Sequence, residues 1–213
     1  MPYSDALALQ RAQGAALEKS AEKTATLILL EHTPVFTLGR TTAQGHLLCS
    51  PQQLAARTSA EVVETDRGGS VTYHAPGQLT AYLLLNLRVW DLPIHAHLDK
   101  LEQAAIATLA RFGIHGHREP GMTGVWVGEG KPAKICAIGV SARRWVTYHG
   151  LSLNVDLDLQ PFYEVVPCGL AGKPVTSMAQ VLGRAVAMRD VEDAMKAAFG
   201  EVYGAKVIAL DTA

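Results

Sequence analysis

Cys168 stands between Pro167 and Gly169 in a turn-forming tripeptide, and no second cysteine lies at the spacing a metal site or a local disulfide would need. Nucleophilic chemistry is the special role left for it. A thiol of ordinary pKa is only a few per cent ionised at neutral pH, and completing its ionisation costs roughly 2 kcal/mol, so a neighbouring cation or base is required. Lys134 is the candidate. In Ala133-Lys134-Ile135-Cys136-Ala137-Ile138-Gly139 an inward-facing ammonium among apolar neighbours must be paired or deprotonated, which suits an acid/base lysine. The plainer alternative is a solvated lysine that guards a sheet edge against aggregation. Strand alternation puts Cys136 on the face of Lys134, which makes Cys136 a competing nucleophile. A papain-like pairing of Cys168 with His74 or His149 is also open, because such partners meet in space rather than in sequence.

A second concentration of functional groups runs from Arg67 to Gln78 (RGGSVTYHAPGQ), where paired glycines precede Thr72, Tyr73, His74 and Gln78. Glycine lets backbone N–H groups approach a ligand closely, so the stretch reads either as a ligand-binding loop or as an ordinary glycine-rich turn. The pairs His95/His97 and His115/His117 lack a third ligand at metal-binding spacing and read as surface or capping histidines, so no metal is expected. No GxxxxGK[ST] loop or GxGxxG fingerprint is present, so ATP and dinucleotides are not indicated and no cofactor is expected.

These groups need a scaffold. Ser4 and Asp5 read as the N-cap of a first helix reaching Lys19, followed by apolar strands over Thr24–Glu31 and Val35–Leu38. A helix over Gln52–Arg57 and a strand over Glu61–Thr65 lead to Arg67. Gln78–Leu87 is too continuously apolar for a surface strand and belongs in the middle of a sheet covered on both faces. His95–Phe112 carries Leu98, Leu101, Ala105, Ile106 and Leu109 at helical spacing, with Gly113 as its C-cap. Val125–Val127, Ala133–Ser141, Trp145–His149 and Leu151–Leu157 follow as hairpin strands. Short helices at Met178–Leu182 and Asp190–Phe199 and a strand at Lys206–Leu210 close the chain. The order implies an α/β domain with a mixed, largely antiparallel sheet flanked by helices, a single domain over residues 1–213.

The chain has 213 residues, 48% of them hydrophobic, enough for one substantial core. With 19 basic and 20 acidic residues evenly spread it offers no electrostatic footprint for nucleic acid or an anionic membrane, so specificity must come from a pocket. Three cysteines with no CxxC pair point to a reducing compartment, and no stretch reaches the length of a signal or membrane segment, so the expected location is the cytoplasm.

Taken together, five separated strings resemble the lipoyl(octanoyl) transferase family over almost the whole chain. They are Glu31-His32-Thr33-Pro34-Val35-Phe36-Thr37, the Arg67–Gln78 stretch, Lys134–Gly139, His149–Val155 and Pro167-Cys168-Gly169, with Tyr3, Ala6 and Gln10 before them. The resemblance implies a fold related to the biotin and lipoate protein ligases and a Cys168 nucleophile partnered by Lys134. It also implies an acyl site formed by Arg67, Gly68, Gly69, Ser70, Val71, Thr72, Tyr73 and His74, by Ala137, Ile138 and Gly139, and by Gly150, Leu151 and Ser152. The implied donor is octanoyl-acyl carrier protein. The implied acceptors are the lipoyl domains of 2-oxoacid dehydrogenase complexes and the glycine cleavage H protein, with the enzyme acting as a monomer. Ser70, Ala75 and Ser152 depart from the usual residues of the pattern, and Ser152 would add a hydroxyl to the acyl pocket. Backbone N–H groups near Cys168 and at Gly68-Gly69, with His74, are the expected oxyanion donors. Three rival activities share some of these features: an ATP-dependent lipoate or biotin ligase, a thioester hydrolase, and a module that only docks lipoyl domains. The first would need ATP, the second would leave an acceptor unmodified, and the third would be indifferent to Cys168→Ser.

Overall fold

The computed structural model describes residues 1–43, 45–166, 173–204 and 207–210, so Cys168 lies outside the described residues. The elements are α1 (Tyr3–Lys19), β1 (Ala25–Leu30), β2 (Val35–Leu38), α2 (Pro51–Thr58), β3 (Glu61–Glu64), β4 (Val71–His74), β5 (Gln78–Leu85), α3 (Leu87–Trp90), α4 (Ile94–Ala110), β6 (His117–Glu119), β7 (Met122–Val127), β8 (Ala133–Arg143), β9 (Val146–Asn154), α5 (Met178–Leu182), α6 (Met188–Tyr203) and β10 (Val207–Leu210). A seven-stranded sheet runs β10-β1-β5-β9-β8-β7-β6 and a three-stranded one β3-β2-β4. Among the strand pairs of the described residues, only β1–β10 and β2–β3 are parallel. The expected mixed, largely antiparallel sheet flanked by helices is therefore present. The second sheet departs from the sequence reading: Val71–His74 reads as part of a glycine-rich loop, whereas it pairs antiparallel with β2.

Alternation along the central strands decides which face each side chain takes. Ala25, Leu27 and Leu29 of β1 join Leu79, Ala81, Leu83 and Leu85 of β5 in the core under α4 and α6, while Ile28, Leu30, Tyr82 and Leu84 pack on the opposite face against Ala6 and Leu17 of α1. Every residue of β1 and β5 is buried, as a sheet covered on both faces requires. A third core, built on Phe36, Leu54, Val71, Tyr73 and Phe162, lies behind the small sheet.

Several local expectations give way to the structure. The first helix begins at Tyr3 with Pro2 as its N-cap, and the Ser4 hydroxyl bonds Asp5 instead of capping. Ser50 caps α2 through a reciprocal capping box with Gln53. Gly150 does not divide two strands. β9 runs through it, paired with Gly139, and its missing side chain serves close approach to the backbone of Ala81. The reversal between β8 and β9 falls instead at Arg144 and Trp145, both with positive φ (50° and 71°), as a two-residue hairpin demands.

His97 is fully buried rather than at the surface; its Nδ1 lies 3.0 Å from the Tyr203 hydroxyl. Burial pulls its pKa to about 4, and the same cause brings His32 to about 4. When the folded-state pKa is depressed, the unfolded chain takes up the proton first. The associated stability is present above the unfolded value near 6.5 and is lost as pH falls from there towards 4, by about 3 kcal/mol per histidine. Urea midpoints should therefore fall between pH 7 and 5, and His97→Gln should make that fall shallower by about one proton; an identical slope in the variant would contradict this.

Candidate active site

A cavity of about 230 Å3 lies on the α1 face of the large sheet, closed on its other side by β4 and the segment that precedes it. The same alternation that builds the cores aims the site residues. On β4, Thr72 and His74 face the cavity, while Val71 and Tyr73 turn into the third core, where Tyr73 packs on Phe36 and Phe162. On β8 and β9, Ala137 and Gly139 and Gly150 and Ser152 face it, and Ile138 and Leu151 line it too although they pack with the core under α4. Arg67, Gly69 and Ser70 complete the set from the connecting segment. Gly68 does not line the cavity.

Lys134 lines it as well, yet Cys136 does not, although the two are separated by one residue. The β7–β8 pairing slips between Val125, opposite Cys136, and Trp126, opposite Lys134. Ile135 is the extra residue, and the slip brings Lys134 into phase with Ala137 and Gly139. Cys136 stays in the core under α4, fully buried, and burial pushes its thiol well above the ordinary range, with the Lys134 charge only a partial offset. Cys136 is thus no competitor for the role of nucleophile.

Lys134 is 6% exposed. Its Nζ donates to the Thr123 carbonyl oxygen at 2.9 Å and stands 4.8 Å from the centroid of the Trp126 ring, within cation–π range. Thr123 is held from below: Glu102 of α4 accepts from the Gly124 N–H at 2.9 Å and from Arg118 at 2.7 Å. Lys134 is not the solvated edge lysine of the plainer reading. Its backbone carries a further contact, since its N–H donates to the Pro174 carbonyl oxygen and its carbonyl accepts from Thr176.

The Arg67 guanidinium is buried and donates to the Thr37 carbonyl oxygen at 2.6 Å, to Thr37 Oγ1 and to the Gly68 carbonyl oxygen. The Gly68 N–H donates to the Val140 carbonyl oxygen at 2.9 Å. That donor is spent on holding the two segments together, so Gly68 is withdrawn as an oxyanion donor. His74 has Nδ1 2.7 Å from Gln78 Oε1 and is driven well below its ordinary pKa, first by burial and then by its charged neighbours. His149, at positive φ, places Nε2 2.8 Å from Asp66, and burial lowers its pKa despite that carboxylate.

Tyr3, Thr80, Tyr82, Met122, Thr123 and His149 also line the cavity and were not assigned to it. For Thr80 and Tyr82 a signal existed: they alternate in step with Gln78 along an otherwise apolar strand. Met122 and Thr123 carry none, because only the β7–β8 pairing brings them there.

Residues 2–200 match the family model described as the lipoyl protein ligase A/B catalytic domain. The chain is 48% identical over 202 residues to an octanoyltransferase of Chloroflexus aurantiacus, covering 94% of this chain and 89% of the relative. It is 43% identical over 204 residues to an octanoyltransferase of Gloeobacter violaceus, covering 96% and 87%. Among solved structures, lipoate-protein ligase A bound with ATP superposes with a TM-score of 0.77 at 15% identity, covering 97% of this chain and 83% of that one. A bi-partite lipoate protein ligase from Thermoplasma acidophilum gives 0.76 at 14% identity, covering 100% and 85%. At such identities the likeness is one of fold.

The Thr72 and Thr80 hydroxyls are buried in the lining with no hydrogen-bond partner among the described residues. An unpaired buried hydroxyl costs stability that an apolar group of the same shape does not. Thr80→Val should leave the melting temperature unchanged or raise it, by up to about 1 kcal/mol of stability; a loss of more than that in thermal unfolding would show that the hydroxyl is paired after all.

Proposed function

The chain belongs to the lipoyl protein ligase A/B catalytic domain family, and from that premise we propose that it transfers an octanoyl group from octanoyl-acyl carrier protein to a lysine of lipoyl domains, through an acyl thioester on Cys168. Residues 1–213 act as one catalytic domain, a cytoplasmic monomer whose acceptors are the lipoyl domains of 2-oxoacid dehydrogenase complexes and the glycine cleavage H protein. Relatives that carry the name octanoyltransferase over most of their length support the reaction. No helix among the described residues is long and apolar enough to cross a membrane.

The observation that carries the reading is the position of Lys134. Lys134 lines the cavity together with eleven of the fourteen residues the resemblance assigns to the acyl group, Gly68, Val71 and Tyr73 being the exceptions, and its backbone pairs with Pro174 and Thr176, six and eight residues after Cys168. In the first step the Cys168 thiolate attacks the thioester carbonyl, the carbonyl carbon–sulfur bond to the carrier breaks, and Lys134 supplies the proton that the departing carrier thiolate takes up. In the second step the acceptor lysine's neutral amine attacks the acyl-Cys168 carbonyl, its proton passes to Lys134, and Cys168 leaves as the thiolate. One thioester is exchanged for another and then for an amide, so no nucleotide is consumed. Freeing the acceptor's amine at pH 7 costs about 4 to 5 kcal/mol, with that first proton released to solvent, and Lys134, left neutral by the first step, takes the second proton that the amine sheds as it attacks.

Cys168→Ser and Lys134→Ala are expected to lower transfer of octanoyl from its carrier to an apo lipoyl domain by at least about 100-fold each, with ATP making no difference to the wild type. Mass spectrometry of the acceptor domain reads the outcome. Product that forms from free octanoate only when ATP is added, or free octanoate released with the acceptor unmodified, would overturn the proposal in favour of a ligase or a hydrolase.

A further inference from the structure

The β8–β9 ladder forms the floor of the cavity in three consecutive rungs: Ala137 opposite Ser152, Ile138 opposite Leu151, and Gly139 opposite Gly150. Lys134 stands at one end of this floor. At the other, the Arg67–Gly68 segment crosses over β8, tied there by the Gly68-to-Val140 hydrogen bond. A Cβ on Gly139 would lie 2.8 Å from the Gly68 carbonyl oxygen and 3.2 Å from Arg67 Cδ, so the crossing rests directly on that glycine. It has little freedom to lift, because the Arg67 guanidinium is fastened to Thr37 on the small sheet.

We infer that this crossing is the end wall of the acyl channel, with Gly139 and Arg67 as the residues that set the longest chain accepted. The inference rests on the octanoyl-transfer reading and adds to it the element that fixes length. The dimensions agree. The five residue-to-residue steps of strand from Lys134 to Gly139 span roughly 16 Å at about 3.3 Å each. An extended eight-carbon acyl chain spans roughly 9 Å with carbon–carbon bonds of about 1.5 Å. About 7 Å is left at the Lys134 end for the thioester and the reacting side chains. A wall built from a hydrogen-bonded backbone crossing and a tethered guanidinium is stiff, whereas a wall of leucine side chains would yield to one more methylene.

The test is kcat/KM for transfer to an apo lipoyl domain from acyl carrier protein loaded with six-, eight-, ten- and twelve-carbon chains. A buried methylene contributes about a fourfold gain. The wild type should therefore favour octanoyl over hexanoyl by about 15-fold and gain nothing further by twelve carbons. Gly139→Ala, whose methyl group cannot fit beneath the Gly68 carbonyl oxygen without displacing the crossing, should change the octanoyl-to-hexanoyl ratio at least about fourfold. Arg67→Ala, which removes the wall's stem, should raise the decanoyl-to-octanoyl ratio at least about fourfold. Each ratio is taken within a single protein preparation, so a reduced folded fraction cancels. A wild-type profile still rising at twelve carbons overturns the inference even if neither variant folds, and so do unchanged ratios in both variants. Failure of the wild type to modify the acceptor at any length is a different result and would sink the octanoyl-transfer reading itself.

Discussion

The hydrogen bond from Lys134 Nζ to the Thr123 carbonyl oxygen organises the site. A cationic side chain taken almost wholly out of water must be met by acceptors or it destabilises the fold. The acceptor here is a backbone carbonyl at the start of β7, and the indole of Trp126 covers another side. That carbonyl is positioned in turn by Glu102, a carboxylate from α4 that fastens the Gly124 N–H and Arg118. A helix on one face of the sheet thus fixes a lysine that lines the cavity on the other. The one-residue slip at Ile135 makes this possible, since strict alternation would have put Lys134 among the leucines under α4.

The second constraint is the contact between the two sheets. Backbone meets backbone where Gly68 crosses β8, and within the small sheet Gly39 approaches Gly69 just as closely, beyond the ends of β2 and β4. At Gly39 an added Cβ would collide with the Gly69 carbonyl oxygen, and Gly69 itself sits at positive φ (83°). A side chain at Gly139 or Gly68 would press the crossing away from β8. Gly68 therefore serves the close approach and spends its N–H on the Val140 carbonyl instead of on a substrate oxygen, while Gly69 supplies the positive φ of the turn into β4. Polar residues fill the remaining interface: Thr37 receives Arg67, Gln78 joins His74 to Asn154, and Asp66 meets His149.

Much of this architecture can be read along the chain. The unbroken apolar runs of β1 and β5 announce a doubly covered sheet, and the three- and four-residue spacing of Leu98, Leu101, Ala105 and Leu109 announces α4. Family strings gather the cavity residues, because those strings are chemical and not merely structural. What sequence does not carry is pairing. Val71–His74 becomes a strand only because β2 offers it a partner. Gly150 resembles a turn until its neighbours Gly139 and Ala81 explain the missing side chain. The slip at Ile135 leaves no local trace, so alternation assigned Cys136 the wrong face. His97 resembles a helix-start surface residue until Tyr203, 106 positions away, closes over it.

The proposed chemistry turns on one covalent bond. Incubation with octanoyl-acyl carrier protein alone, without acceptor, followed by intact-mass measurement and peptide mapping, should show a single octanoyl increment on the peptide containing Cys168, lost when apo lipoyl domain is added. An unmodified protein under turnover conditions, or an increment that maps to another residue, would contradict it.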